Sequence, residues 1–195
     1  MFKFKFKILF SSLLTLTCLN ADHILTTPET KTNLRNVAQI ITAILNSKGP
    51  VLELGCSNHT TAQVHALCSK TKHRIVTTES DINWFDLYCD LQTEWHDVKL
   101  IEPFDSECED RTEWGVVLIG NNSKFNQLHE LRQFRYNAEI IILQCDHLFI
   151  DEYHELLDSF KYQIREPFNI YYNCATIILS NTVNVKSIFG VEYHA

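Results

Sequence analysis

Glycine is scarce in this chain. Its 195 residues include only 5: Gly49, Gly55, Gly115, Gly120 and Gly190. No window reads G-x-G-x-x-G or G-x-x-x-x-G-K-[ST], so the common dinucleotide fingerprint and the P-loop are absent. The 7 cysteines form no C-x-x-C pair, which argues against zinc ribbons and thioredoxin-type redox sites. A basic block is missing too. Lys plus Arg number 17 against 24 Asp plus Glu, a net charge of −7. An acidic chain is poorly suited to nucleic-acid binding by counterion release, so no nucleic-acid partner is expected. No apolar run approaches the roughly 20 residues of a membrane-spanning helix, so no integral membrane domain is expected. Residues 22–195 hold no repeat, low-complexity tract or linker. What remains is an ordinary globular mix, 45% hydrophobic and 21% charged. Its length suits one domain of roughly 100–200 residues.

The first residues stand apart. Residues 1–7 read MFKFKFK, with three lysines and no acid, and 8–19 are apolar apart from Ser and Thr. Asn20 and the small Ala21 follow. A basic start, an apolar run and a small residue are the pattern of a secretory signal peptide over 1–21, with 22–195 as a single domain. Phe2, Phe4, Phe6 and Ile8 also alternate with lysines, the period of a half-buried strand, and an intracellular N-terminal element is the competing reading. Export to the periplasm or medium follows from the first reading, a cytoplasmic location from the second. Removal of 1–21 takes the net charge from −7 to −10, because three lysines go and no acid does.

Thr27-Pro28-Glu29 reads as a helix start: a Thr cap, Pro at the first position and an acid in the first turn. Leu34, Val37, Ile41, Ile44 and Leu45 then recur at three- and four-residue steps, and 47–50 stop that helix. Strands are expected at 51–55, 74–78, 98–101, 114–119 and 139–143. Helices are expected at 60–69, 81–91, 125–134 and 151–160, and an acidic loop at 102–113. Continuous apolar runs such as GVVLI and EIIIL suit strands buried on both faces. Their alternation with helices predicts an α/β, Rossmann-like, doubly wound and mostly parallel sheet. The ending differs, because 161–165 and 175–179 are two strands with no helix between them. They predict a C-terminal antiparallel hairpin.

Ligands of open α/β sheets bind beyond the carboxyl ends of the strands, where strand order reverses. Three features meet that expectation. Glu53 precedes Gly55-Cys56-Ser57-Asn58 at the end of the first strand. Gly55 lets a ligand approach the backbone closely. Glu79 ends the second strand, where an acid can accept both hydroxyls of a ribose. Together they describe a site for a small nucleoside-type ligand held without phosphate cradling.

This pattern resembles the class I S-adenosylmethionine-dependent methyltransferases. Val51-Leu52-Glu53-Leu54-Gly55 matches the start of their motif I, Glu79 their ribose acid, and the terminal hairpin their last two strands. More narrowly, the chain is similar to a branch of small bacterial methyltransferase-like proteins. The likeness lies in Thr26-Thr27-Pro28-Glu29-Thr30, His65-Ala66-Leu67-Cys68 and Glu79-Ser80-Asp81-Ile82-Asn83-Trp84. It continues in Trp114 to Val117 and in Phe160-Lys161-Tyr162. The resemblance implies S-adenosylmethionine as cofactor, held by Glu53, Gly55, Ser57 and Glu79. It leaves the catalytic residues unknown, because direct methyl displacement relies on positioning and does not require an essential base.

Departures from the family pattern cluster at the site. Ser57 and His59 stand where further glycines are usual, and each side chain narrows the turn. Gly120-Asn121-Asn122 replaces an Asp-His pair, and Gln144-Cys145-Asp146-His147 replaces a His-Asp-Thr-Glu-like run. Two functions are therefore open: a methyltransferase with an unknown acceptor, or an exported, catalytically degenerate relative acting as a binding or interaction module. Asp146, His147, Glu152 and His154 are of the types that ligate zinc or iron, but a His-containing acidic surface is the commoner arrangement, and no metal is expected. Cys56 is a candidate reactive thiol in the ligand loop. Tyr153, Tyr171 and Tyr172 read as packing residues. Neither the methyl acceptor nor the oligomeric state has an anchor in the sequence.

Overall fold

The computed structural model describes residues 28–58, 60–102, 112–120, 124–146, 150–165 and 174–190. Within them, side chains are described except at 28–36, 124–125, 146, 150 and 174. The 1–21 segment, Leu34, His59, most of the acidic loop, Asn121, Asn122, His147, Tyr171 and Tyr172 thus lie outside the described side chains. The chain divides into two compact units, Met1–Arg35 and Asn36–Ala195. Only the opening of one helix represents the first.

That helix, α1, spans Pro28–Asn46. After it come β1 (Val51–Leu54), α2 (Thr61–Thr71), β2 (Ile75–Glu79), α3 (Ile82–Tyr88) and β3 (His96–Leu100). The chain continues through β4 (Trp114–Ile119), α4 (Lys124–Phe134), β5 (Ala138–Asp146) and α5 (Ile150–Asp158). It closes with β6 (Tyr162–Arg165), β7 (Cys174–Ser180) and the short α6 (Val185–Ile188). One seven-stranded sheet runs β3-β2-β1-β4-β5-β7-β6. Strands β1 to β5 pair in parallel, and β7 runs antiparallel to both β5 and β6. The expected terminal hairpin is present, with β7, not β6, joined to β5.

Side chains alternate across the sheet, so its central strands feed two cores. One holds Val51, Ile75, Val116, Ile140 and Ile178 with Ile40, Ile44, Val64 and Cys68 of α1 and α2. The other holds Leu52, Val117, Ile141 and Leu179 with Leu131, Phe134, Tyr153 and Leu157 of α4 and α5. Apolar cover on both faces explains why β1 and β4 are buried at every position.

Local expectations shift where a neighbour supplies the missing partner. Strand β5 continues three residues past Leu143, because Gln144, Cys145 and Asp146 pair with Thr176, Ala175 and Cys174 of β7. Strand β3 starts at His96 rather than Val98, since His96 registers with Ile75 of β2. Helix α3 ends at Tyr88 and passes into a 3-10 turn at Cys89–Leu91. Its apolar residues Ile82 and Leu87 are 50% and 66% exposed. Leu45 of α1 is likewise exposed.

Candidate functional site

From β1 the chain steps outward to β2 and β3, then returns to place β4 on the other side of β1. The reversal leaves a gap at the carboxyl ends of β1 and β4, because their following helices depart in different directions. A cleft with about 280 Å³ of empty space, partly open to solvent, lies there. Ile40, Leu118, Ile119 and Ile142 form its apolar wall. Glu53, Ser57, Thr60 and Gln144 supply polar groups, and Gly55 and Gly120 expose backbone. Gly55 has φ of 90°, in the region that favours glycine.

Glu53 is 2% exposed. Strand alternation puts it on the core face of Val51, directly beside Thr77 in the β1–β2 register. Three hydroxyls approach its carboxylate. Thr60 and Thr61 donate to Oε1 at 2.9 and 3.1 Å, and Thr77 donates to Oε2 at 3.0 Å. Burial outweighs them and lifts its pKa from 4.5 to about 7, with a smaller push from Glu79. Between those pH values the unfolded chain releases this proton and the folded chain keeps it. Folding stability therefore falls as pH rises from about 4.5 and levels off above about 7. At about 1.36 kcal/mol per pKa unit, this group alone accounts for a loss of about 3 kcal/mol. Glu53→Gln is expected to remove that slope in urea unfolding measured from pH 5 to 8. An unchanged slope would place the titration elsewhere.

Glu79 sits one strand over and does not line the cleft. Its Oε2 accepts from the Cys56 backbone N–H at 2.8 Å. Oε1 accepts from the Ser80 and Asp81 N–H groups at 2.7 and 2.9 Å. The carboxylate thus ties the β1 loop to the turn entering α3, where Asp81 caps the helix through Asn83 N–H. A carboxylate offers about four acceptor positions, so three of them are already used. Ser57 does line the cleft. Its N–H donates to Thr61 Oγ1 at 2.8 Å, and its Oγ accepts from Thr60 N–H at 3.2 Å. The structure therefore brings Glu53, Gly55 and Ser57 around one cleft and connects Glu79 to the same loop through the Cys56 amide.

Cys56 does not fit the reactive-thiol expectation. Burial, then Glu53 and Glu79, push its pKa up to about 12, so it stays a thiol at neutral pH. Cys56, Cys68 and Cys89 form no disulfide. Tyr153 is fully buried and donates to Gln127 Oε1 at 2.9 Å, a packing role. His154 pairs with Asp158 on its own helix at 2.8 Å. Among the described residues no three His, Cys, Asp or Glu side chains converge on a metal position. No helix among them is long and apolar enough to cross a membrane.

Four polar residues at the site escaped the sequence reading: Thr60, Thr61, Thr77 and His96. His96 is fully buried, its Nε2 lying 2.9 Å from Thr77 Oγ1. The Thr60-Thr61 pair after the motif I turn was a usable signal, since a buried acid needs hydroxyl or amide donors nearby.

No family model and no curated protein matches the sequence. Solved structures do match in fold. Human methyltransferase 10 domain containing protein superposes with a TM-score of 0.56 at 8% identity, covering 77% of this chain and 82% of its own. A putative O-methyltransferase from Klebsiella pneumoniae gives 0.54 at 12% identity, covering 86% and 97%. TrmK of M. capricolum, solved with S-adenosyl-homocysteine, gives 0.53 at 11% identity, covering 75% and 69%. With the strand order and the antiparallel β7, these matches define the fold: it is that of the class I methyltransferases.

Proposed function

We propose that the protein binds S-adenosylmethionine at the cleft between β1 and β4 and transfers its methyl group to an acceptor. The observation that carries this reading is the buried acid Glu53 beside left-handed Gly55, in a cleft at the switch point of a methyltransferase-type sheet. The residues present fit the ligand chemically. When bound, S-adenosylmethionine supplies an electrophilic methyl group on a sulfonium. Ionised Glu53 puts negative charge where a cationic ligand is favoured, and Ile40, Leu118 and Ile142 offer an apolar wall. Glu79 keeps one acceptor position for a ribose hydroxyl. Holding both hydroxyls requires it to release one backbone amide. The cleft is small, so part of the ligand would lie outside it, over the β1 loop. Direct displacement needs alignment of the two reacting groups more than a base, and rigid strands β1 and β4 suit that task.

A binding protein without transfer is the second reading. The three amides on Glu79 and the Ser57 side chain in the turn favour it, as does export under a 1–21 signal. Transfer requires the ligand to bind, and saturable heat on titration with S-adenosylmethionine and S-adenosylhomocysteine is the test of that requirement.

A further inference from the structure

Behind the cleft, four side chains from three strands and one helix form a continuous line. Thr77 Oγ1 lies 3.0 Å from Glu53 Oε2 and 2.9 Å from His96 Nε2. His96 Nδ1 lies 2.8 Å from His65 Nδ1. His65, on α2, is partly exposed and packs 4.5 Å from the Trp95 ring. We propose that Thr77, His96 and His65 form a proton path through which Glu53 exchanges its proton with solvent from behind the cleft.

Proton counting fixes the direction of every bond. An ionised carboxylate can only accept, so the single Thr77 hydroxyl proton goes to Glu53. Thr77 Oγ1 then accepts from His96 Nε2–H. A neutral imidazole carries one N–H, so His96 Nδ1 is bare and accepts from His65 Nδ1–H. His65 Nε2 carries no proton in this state. Both rings are neutral near pH 7, because burial pushes His96 down to about 4 and lowers His65 as well.

Protonation of Glu53 reverses the whole line. A solvent proton forms an N–H bond at His65 Nε2. His65 gives its Nδ1 proton to His96 Nδ1, and His96 gives its Nε2 proton to Thr77. Thr77 passes its own proton to Glu53 Oε2. One proton enters, one O–H bond forms at Glu53, and no charge is left along the path. In the new state Thr77 donates to His96 Nε2, and both imidazoles have changed tautomer. Other titratable groups face the line without interrupting it: Glu79 on β2, Cys56 in the loop, Cys68 on α2, Tyr88 on α3 and Asp97 on β3. On the cleft side, α1 presents Ile40 and β4 presents Leu118 and Ile119, none of which titrates.

The test needs no ligand, so its outcome is independent of what the cleft binds. The full chain, carrying ¹⁵N-labelled histidine, is followed by NMR from pH 6.5 to 8.5. The Glu53 carboxyl band is followed by infrared spectroscopy, assigned by its loss in Glu53→Gln. As pH falls, His96 is expected to change from Nε2–H to Nδ1–H with the same midpoint as Glu53, near 7. In Glu53→Gln the side-chain amide donates where the carboxylic acid does, so His96 is expected to be Nδ1–H at every pH. In Thr77→Val the coupling is expected to vanish, and in Thr77→Ser to survive. The proposal is overturned if wild-type His96 keeps one tautomer while Glu53 titrates. It is overturned equally if Glu53 does not titrate in this range, or if His96 still follows it in Thr77→Val.

Discussion

Gly115→Ala is expected to destabilise the protein by about 3 kcal/mol, the upper end of overpacking costs. A Cβ on Gly115 would meet the backbone N and O of Gly49, both at 2.7 Å. A Cβ on Gly49 would meet Gly115 N at 2.5 Å. Neither contact involves a side chain that could swing away, so the two backbones must separate. Separation also stretches the bond from Gly115 N–H to the Pro50 carbonyl, now 2.8 Å. That crossing precedes β1 and opens β4, the two strands that carry the cleft at their far ends. Gly120→Ala is the control, since its Cβ would find nothing nearer than Gln144 Oε1 at 3.6 Å. Urea unfolding of both variants checks the contrast, with Gly120→Ala expected within about 0.5 kcal/mol of wild type. Equal costs at the two positions would mean that the β1–β4 crossing does not depend on close backbone contact.

Glu79→Ala is expected to weaken S-adenosylhomocysteine binding about 30-fold or more. Three backbone amides lose a charged acceptor, and hydrogen bonds to charged groups contribute roughly 1.5–3 kcal/mol each. A loss of about 2 kcal/mol in binding corresponds to about 30-fold in Kd. The loop from Cys56 to Ser57 would no longer be tied to the start of α3, so the ligand would have to order it. Titration calorimetry at 25 °C on folded variant measures this directly. An affinity equal to wild type would show that neither the acid nor the loop it holds takes part in binding.

The sheet was largely legible because apolar strands such as Val51-Leu52 and Gly115 to Ile119 leave little choice. Both faces of them must be covered, and the 3.6-residue pattern of the intervening segments supplies the covers. Boundaries failed where tertiary pairing overrode composition. Gln144-Cys145-Asp146 has no strand signature, yet β7 supplies its hydrogen-bond partners. Glu53, Gly55 and Ser57 were readable at the cleft because an acid and a glycine ending an apolar strand have few other uses. The engagement of Glu79 was not readable, since it depends on how the Ser80-Asp81 turn aims its amides. His96 was invisible for a similar reason. In Glu94-Trp95-His96-Asp97 it looks like a polar approach to a strand. Only the β2–β3 register puts it behind Thr77 and one step from Glu53.

The proposed adenosyl site is the β1–β4 cleft. Its most direct test is calorimetric titration of the protein with S-adenosylmethionine and S-adenosylhomocysteine at pH 8, where Glu53 is ionised. The expected result is saturable binding of both at one site per chain, tighter for the cationic S-adenosylmethionine. No heat of binding with either ligand at millimolar concentration would contradict the claim.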